Sequence, residues 1–151
     1  MHYTGTIWRP PYEAYSLLIQ VTAGCTHHSC KFCTLYEDLP FKFKLSPFSE
    51  VEQDLAEASK YYHKVPRIFF TGANPFVLNT EKLKALAKMV KEYYPKYETI
   101  GCFARITDIT PKTVEELREL RALGYDGITI GVETGDDEML AFMNKGFQSK
   151  D

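Results

Sequence analysis

An α/β fold built on a parallel sheet is predicted by three features of the chain. Short apolar runs rich in β-branched and aromatic residues recur along it. Each is followed by a segment of helical periodicity, and proline or glycine punctuates the junctions. Strand and helix alternating in this way imply parallel strands joined by right-handed crossovers. Within 151 residues there is room for about four such βα units, a partial (βα) barrel, and for one domain with a sizeable core.

Taken in order, residues 1–15 read as an N-terminal arm, and Arg9-Pro10-Pro11-Tyr12 as an extended piece packing under the sheet. The core is expected over residues 16–151. Ser16 to Val21 form the first strand. A turn-rich stretch, Glu37-Asp38-Leu39-Pro40, precedes a helix whose start is signalled by Ser49 with Glu52 three residues on, a capping-box pattern. Val51, Leu55, Ala58 and Tyr62 fall on one face of that helix, and Pro66 ends it. Arg67 to Thr71 make a buried strand and Gly72-Ala73-Asn74-Pro75 a loop. Thr80 caps the next helix, which turns Leu83, Leu86, Val90 and Tyr93 inward before Pro95. Thr99 to Ala104 give the third strand. Thr110 ahead of Pro111 marks a helix start with Val114, Leu117 and Leu120 facing the core, and Gly124 stops it. Gly127 to Val132 are the fourth strand. Asp136 or Asp137 caps a last helix that runs through Met143 and is ended by Gly146.

In parallel sheets the working site lies at the C-terminal ends of the strands. The unusual residues of this chain all fall there. Cys25, Cys30 and Cys33 follow strand one, Gly72-Ala73-Asn74 follow strand two, Arg105 follows strand three, and Glu133-Thr134-Gly135 follow strand four. Three cysteines spaced C-x4-C-x2-C on one loop suit a metal centre better than disulfides, because an odd, crowded set cannot all pair. A four-iron cluster held by three thiolates keeps one iron open for reaction. A zinc site using the three cysteines with His27 or His28 is the competing reading. Cys102, inside a strand, reads as core packing.

Composition excludes several classes. A net charge of −2 with 25% charged residues gives no support for a nucleic-acid surface. Lys42, Lys44, Lys82, Lys84, Lys88 and Lys91 read as solvated faces. No apolar run approaches the roughly 20 residues a membrane span needs. The N-terminus lacks the layout of a signal peptide, and clustered free thiols point to a reducing compartment, so a cytoplasmic location is expected.

The strand, the three-cysteine loop with Phe32 before its last cysteine, and the βα units ending in Ile130-Gly131-Val132-Glu133-Thr134-Gly135 resemble the core of radical S-adenosylmethionine (SAM) enzymes over roughly residues 12 to 147. The resemblance is nearest the coproporphyrinogen oxidase-like, elongator-like and methylthiotransferase-like group. It implies a 4Fe–4S cluster on Cys25, Cys30 and Cys33 and SAM chelated to the open iron. It also implies an aromatic contact from Phe32 to the adenine and a turn at Gly72, Ala73 and Asn74 that holds the methionyl ammonium. Arg105 and Glu133 would lie near the methionyl and ribose groups. The implied activity is reductive cleavage of SAM to a 5′-deoxyadenosyl radical that attacks a substrate, with an electron from a reductant such as flavodoxin or ferredoxin. The competing class is a non-catalytic metal-binding module, either zinc-structural or an iron–sulfur electron carrier.

Three departures from the family pattern stand out. One extra residue separates Cys25 from Cys30, as in a subset of the family, and Ala73 and Asn74 replace the usual second glycine and glutamate. The family core has six βα units against about four here. The chain therefore reads as a fragment of a longer polypeptide or as a short relative that needs a partner. Strand four is left with an open edge at Ile128 and Ile130, to be covered by a second copy, by further chain, or by residues 146–151. Alone, the chain is expected to cleave SAM slowly or not at all.

Overall fold

The computed structural model describes residues 1–151. In chain order its elements are β1 (Leu17–Gln20), β2 (Thr22–Gly24), β3 (Phe43–Leu45), α1 (Phe48–Ser59), β4 (Arg67–Thr71), α2 (Thr80–Tyr93), β5 (Thr99–Ala104), α3 (Ile106–Ile109), α4 (Val114–Ala122), β6 (Tyr125–Ile130) and α5 (Asp137–Met143). One parallel sheet has the order β1-β4-β5-β6. Its register runs Leu17 opposite Ile68, Ile68 opposite Ile100 and Cys102 opposite Ile128. The expected fold class is thus present, as an unclosed arc of four strands.

Side-chain alternation divides the sheet into two faces. Ile68, Phe70, Ile100, Cys102 and Ala104 point to the helices and join Val51, Leu55, Leu83, Leu86, Val90 and Leu120 in one core. The other face carries Arg67, Phe69, Gly101, Phe103 and Gly127. Phe69 and Phe103 meet edge to face with centroids 5.1 Å apart. The Arg67 side chain lies flat across the sheet. A Cβ on Gly101 would stand 2.8 Å from Arg67 Nη2, and one on Gly127 only 2.4 Å from it. Glycine at both positions therefore serves this close approach. Arg67 reaches Glu13 of the arm through Nε and Nη2, at 2.8 and 2.6 Å, and Asp126 through Nη1 at 2.7 Å.

That contact fastens the arm. Glu13 is buried, and Pro11–Glu13 form a single 3-10 turn rather than an extended piece. Further along the arm, Thr4 N–H donates to Gln20 Oε1 at 2.6 Å and His2 N–H to Asp54 Oδ1 at 2.8 Å.

Several local expectations shift. Pro47, not Ser49, stands before α1; its carbonyl accepts from Glu50 and Val51, no side chain caps the helix, and Glu52 instead accepts from the Tyr93 hydroxyl at 3.2 Å. Tyr62 lies beyond the end of α1 and is exposed. Asn79 caps α2 through Lys82 N–H, because Thr80 turns its hydroxyl to Glu116 at 2.8 Å. Thr110 closes α3, and the capping box of α4 is Thr113 with Glu116, three residues later than expected. Val114 is consequently exposed, while Leu120 is buried. β6 begins at Tyr125 and leaves Gly131 and Val132 outside the strand. α5 is capped by Asp136 and terminated by Asn144 in a left-handed conformation, ahead of Gly146. Residues 146–151 do not cross the open edge: Ser149 bonds Asp137, Gln148 bonds Asp151, and Gly146 packs on His27.

The buried Glu13 carboxylate makes the Arg67 contact a test of the fold. Arg67→Ala leaves that charge without its partner, and the expected loss of unfolding free energy is about 3 kcal/mol, read by urea denaturation.

Candidate active site

The cysteine loop leaves the sheet through a clasp that the pattern of apolar residues does not reveal. β2 and β3 pair antiparallel, Thr22 opposite Leu45 and Gly24 opposite Phe43, and Cys25 N–H donates to the Lys42 carbonyl at 2.9 Å. Residues 25–42 are therefore a closed excursion with both ends tied together. Gly24 has φ +74, and a Cβ there would lie 2.3 Å from the Lys42 carbonyl oxygen. Only glycine allows the two ends of the loop to come this close.

Beyond the clasp, a cavity of about 340 Å³ opens at the C-terminal ends of the strands. Cys25, Cys30, Cys33 and Phe32 line one side; Ala73, Arg105 and Glu133 line it from the loops after β4, β5 and β6. The structure thus brings together seven of the nine expected site residues. Gly72 and Asn74 are not among the lining residues. Gly72 is pressed against Thr22, where a Cβ would fall 2.0 Å from Oγ1, and Asn74 is fully buried behind the turn. Phe32 is 51% exposed and lines the cavity.

Lys145 was not singled out by the sequence reading. It follows α5, is 7% exposed, and places Nζ 3.2 Å from Glu133 Oε1 and 5.5 Å from the Phe32 ring centroid. The Arg105 Nη2 donates to the Lys145 carbonyl at 2.6 Å. The signal that could have found Lys145 is the helix stop Asn144-Lys145-Gly146, which turns the chain back onto the cysteine loop. There His27 Nε2 donates to the Asn144 carbonyl at 2.6 Å, Asn144 Nδ2 to the Ser29 carbonyl at 2.7 Å, and Lys31 N–H to the Met143 carbonyl at 3.0 Å. Trp8, from the arm, and Tyr36 complete the wall.

Backbone strain concentrates here. The non-glycine residues with positive φ are His28, Tyr36, Glu133 and Asn144. The first three line the cavity, and Asn144 bonds the cysteine loop. Such conformations cost on the order of 1–3 kcal/mol each and gather at functional sites. Burial, with Cys25 and Cys33 nearby, pushes the Tyr36 phenol up to about 12, so it stays neutral. Partial burial raises the Cys30 thiol, while the ammonium of Lys145 acts in the opposite sense. Burial also drives the Cys102 thiol far above its ordinary value, consistent with the expected packing role.

Over residues 19–151 the chain matches the radical SAM superfamily, and it belongs to that superfamily. Two solved structures share the fold. One is the cobalamin-dependent S-adenosylmethionine radical enzyme OxsB, with aqua-cobalamin and S-adenosylmethionine bound. It aligns at 22% identity and TM-score 0.61 over 89% of this chain and 21% of its own. The other is coproporphyrinogen III oxidase (HemN) from Escherichia coli, a radical SAM enzyme. It aligns at 20% identity and TM-score 0.63 over 86% of this chain and 30% of its own. The chain therefore spans less than a third of either. No curated protein sequence matches it. No helix is long and apolar enough to cross a membrane.

The thiol environments predict a labelling pattern. In cluster-free native protein at pH 8, iodoacetamide should modify Cys25, Cys30 and Cys33 and spare Cys102 until denaturant is added, because the thiolate is the reactive form. Peptide mass spectrometry reads the outcome; native labelling of Cys102 would contradict its burial.

Proposed function

We propose that this chain is the N-terminal part of a radical SAM enzyme core, with residues 1–15 as its arm and residues 16–151 carrying the site. In this reading Cys25, Cys30 and Cys33 hold a 4Fe–4S cluster and the cavity receives SAM. The observation that supports it most strongly is the meeting of three thiols, two cations and a carboxylate around one largely apolar cavity at the strand ends. Soft thiolate ligands suit iron–sulfur clusters. The three sulfurs share one wall of the cavity, and an odd set of three thiolates on one loop leaves a cluster iron open for a further ligand.

The other donors fit the polar groups of SAM. Lys145 and Arg105 present positive charge for a carboxylate, and Glu133 accepts from an ammonium or from ribose hydroxyls. The exposed Phe32 ring offers a stacking face for the adenine, and the small side chain of Ala73 lets a ligand approach the main chain. The apolar lining from Leu35, Phe103 and Ile130 limits water around the thiols. Bound there, the cluster and SAM would supply one-electron reductive cleavage of a carbon–sulfur bond, releasing methionine and a 5′-deoxyadenosyl radical able to take hydrogen from a substrate. The electron would come from a reduced flavodoxin or ferredoxin. The free thiols fit a reducing compartment, and we place the protein in the cytoplasm.

Anaerobic reconstitution should load about four irons and four sulfides per chain, counted by iron and sulfide assay. Cys25→Ala, Cys30→Ala or Cys33→Ala should each abolish loading, whereas Cys102→Ala should not. Stoichiometric zinc without iron would return the site to a structural role. With the cluster reduced, SAM should change its electron-spin resonance spectrum. A full cluster indifferent to SAM would favour the electron-carrier reading.

A further inference from the structure

Asn74 is fully buried and takes no part in lining the cavity that its neighbour Ala73 faces. Both ends of its amide are committed elsewhere. Nδ2 donates to Thr26 Oγ1 at 2.7 Å and to the two carboxylate oxygens of Asp108 at 3.2 and 3.0 Å. Oδ1 accepts from Thr26 N–H at 3.3 Å. Asp108, itself buried, also accepts from Arg105 N–H at 2.7 Å. One side chain thus ties together the cysteine loop next to Cys25, the turn after β4, and the start of α3 beside Arg105.

The chemistry of the position calls for an amide. It must donate toward a carboxylate and accept from a main-chain N–H at the same time. A glutamate or aspartate here would set a second carboxylate against Asp108, with like charges in a buried place. Cys30 and Cys33 are held by different contacts: Lys31 N–H donates to the Met143 carbonyl and Cys33 N–H to the Cys30 carbonyl.

We propose that Asn74 is a positioning residue, which fixes Thr26 and through it Cys25, and is not a ligand of the methionyl group. The proposal rests on Cys25 being a cluster ligand, as argued above. Its mark is selectivity: loss of the amide loosens Cys25 and leaves Cys30, Cys33 and Cys102 as they were.

The full chain is compared with Asn74→Ala and Thr26→Val, first without cluster. Iodoacetamide labelling of each cysteine is timed by mass spectrometry. The Cys25 rate is expected to rise about tenfold, the scale of a lost buried hydrogen bond, with Cys30 and Cys33 little changed and Cys102 unlabelled. Cys102 reports unfolding: if Asn74→Ala exposes it, Thr26→Val decides, since that variant removes one acceptor and keeps Asn74 in place. An unchanged Cys25 rate in the folded variant overturns the proposal. After reconstitution, iron content should fall, and the fraction that does load should bind SAM within about threefold of wild type, as expected of a residue outside the ligand shell. Normal iron content with SAM binding weakened more than tenfold would make Asn74 a ligand and overturn the proposal. Should wild type load no cluster, the radical SAM reading fails, while the labelling pattern still judges the Asn74 link.

Discussion

The close approach of Gly72 to Thr22 is the constraint on which the rest of the site depends. Thr71 and Val21 are joined by the last hydrogen bond of the β1–β4 pairing, at 3.3 Å. One residue further on, each chain must leave the sheet, and they do so in contact. Gly72 has φ +130 and no room for a Cβ against Thr22. Thr22 opens β2, whose pairing with β3 closes the base of the cysteine loop. The turn after β4 is thereby locked to the root of the loop that carries Cys25, Cys30 and Cys33. A side chain at position 72 would push these two exits apart and separate the thiols from the walls supplied by β5 and β6.

How much of this was legible in the sequence differs by kind of information. The four strands were readable because Leu17–Gln20, Arg67–Thr71 and Thr99–Ala104 are short apolar runs bounded by turn residues, and the fourth, expected over 127–132, is present two residues earlier as Tyr125–Ile130. Helix starts were misread wherever a capping residue had an alternative partner. Thr80 bonds a distant glutamate, so Asn79 takes its place, and Thr113 outcompetes Thr110 because Glu116 completes its box. The β2–β3 clasp was invisible because Thr22–Gly24 and Phe43–Leu45 are too short to show a period and pair across an 18-residue excursion. The place of the cysteines, Arg105 and Glu133 on the cavity rim was readable from the strand ends they follow, whereas Phe32 was expected only from the family resemblance. The directions of Gly72 and Asn74 were not readable, since a turn can present either side chains or main chain to a ligand. Lys145 escaped because a lysine just past a helix end is commonly solvated and only tertiary packing buries this one.

Charge explains why Lys145 sits where it does. Burial, and to a smaller degree the neighbouring Cys25 and Cys33, raise the Cys30 thiol. A cation nearby counters that tendency. Lys145 remains largely shielded because Glu133 pairs with it and the rings of Phe32 and Phe147 flank it, at 5.5 and 5.7 Å. Glu133 reaches this pairing only through a left-handed backbone. The strained residues at the rim thus have a common consequence: they turn polar groups toward a cavity whose lining is otherwise apolar.

The incomplete arc bears on the site through a single strand. β6 has β5 on one side and no strand on the other, and only Tyr125 within it is buried. An unpaired parallel edge invites another strand. The same strand leads directly into Gly131 and Glu133, which line the cavity. Any chain that pairs with β6 in parallel must therefore emerge beside those residues and add a wall to the cavity at the same end. Covering the edge and enclosing the site are geometrically one event, whether the covering strand is further sequence or another polypeptide. The donors already in place on this chain surround the thiols, whereas the side beyond Glu133 is left to whatever pairs with β6.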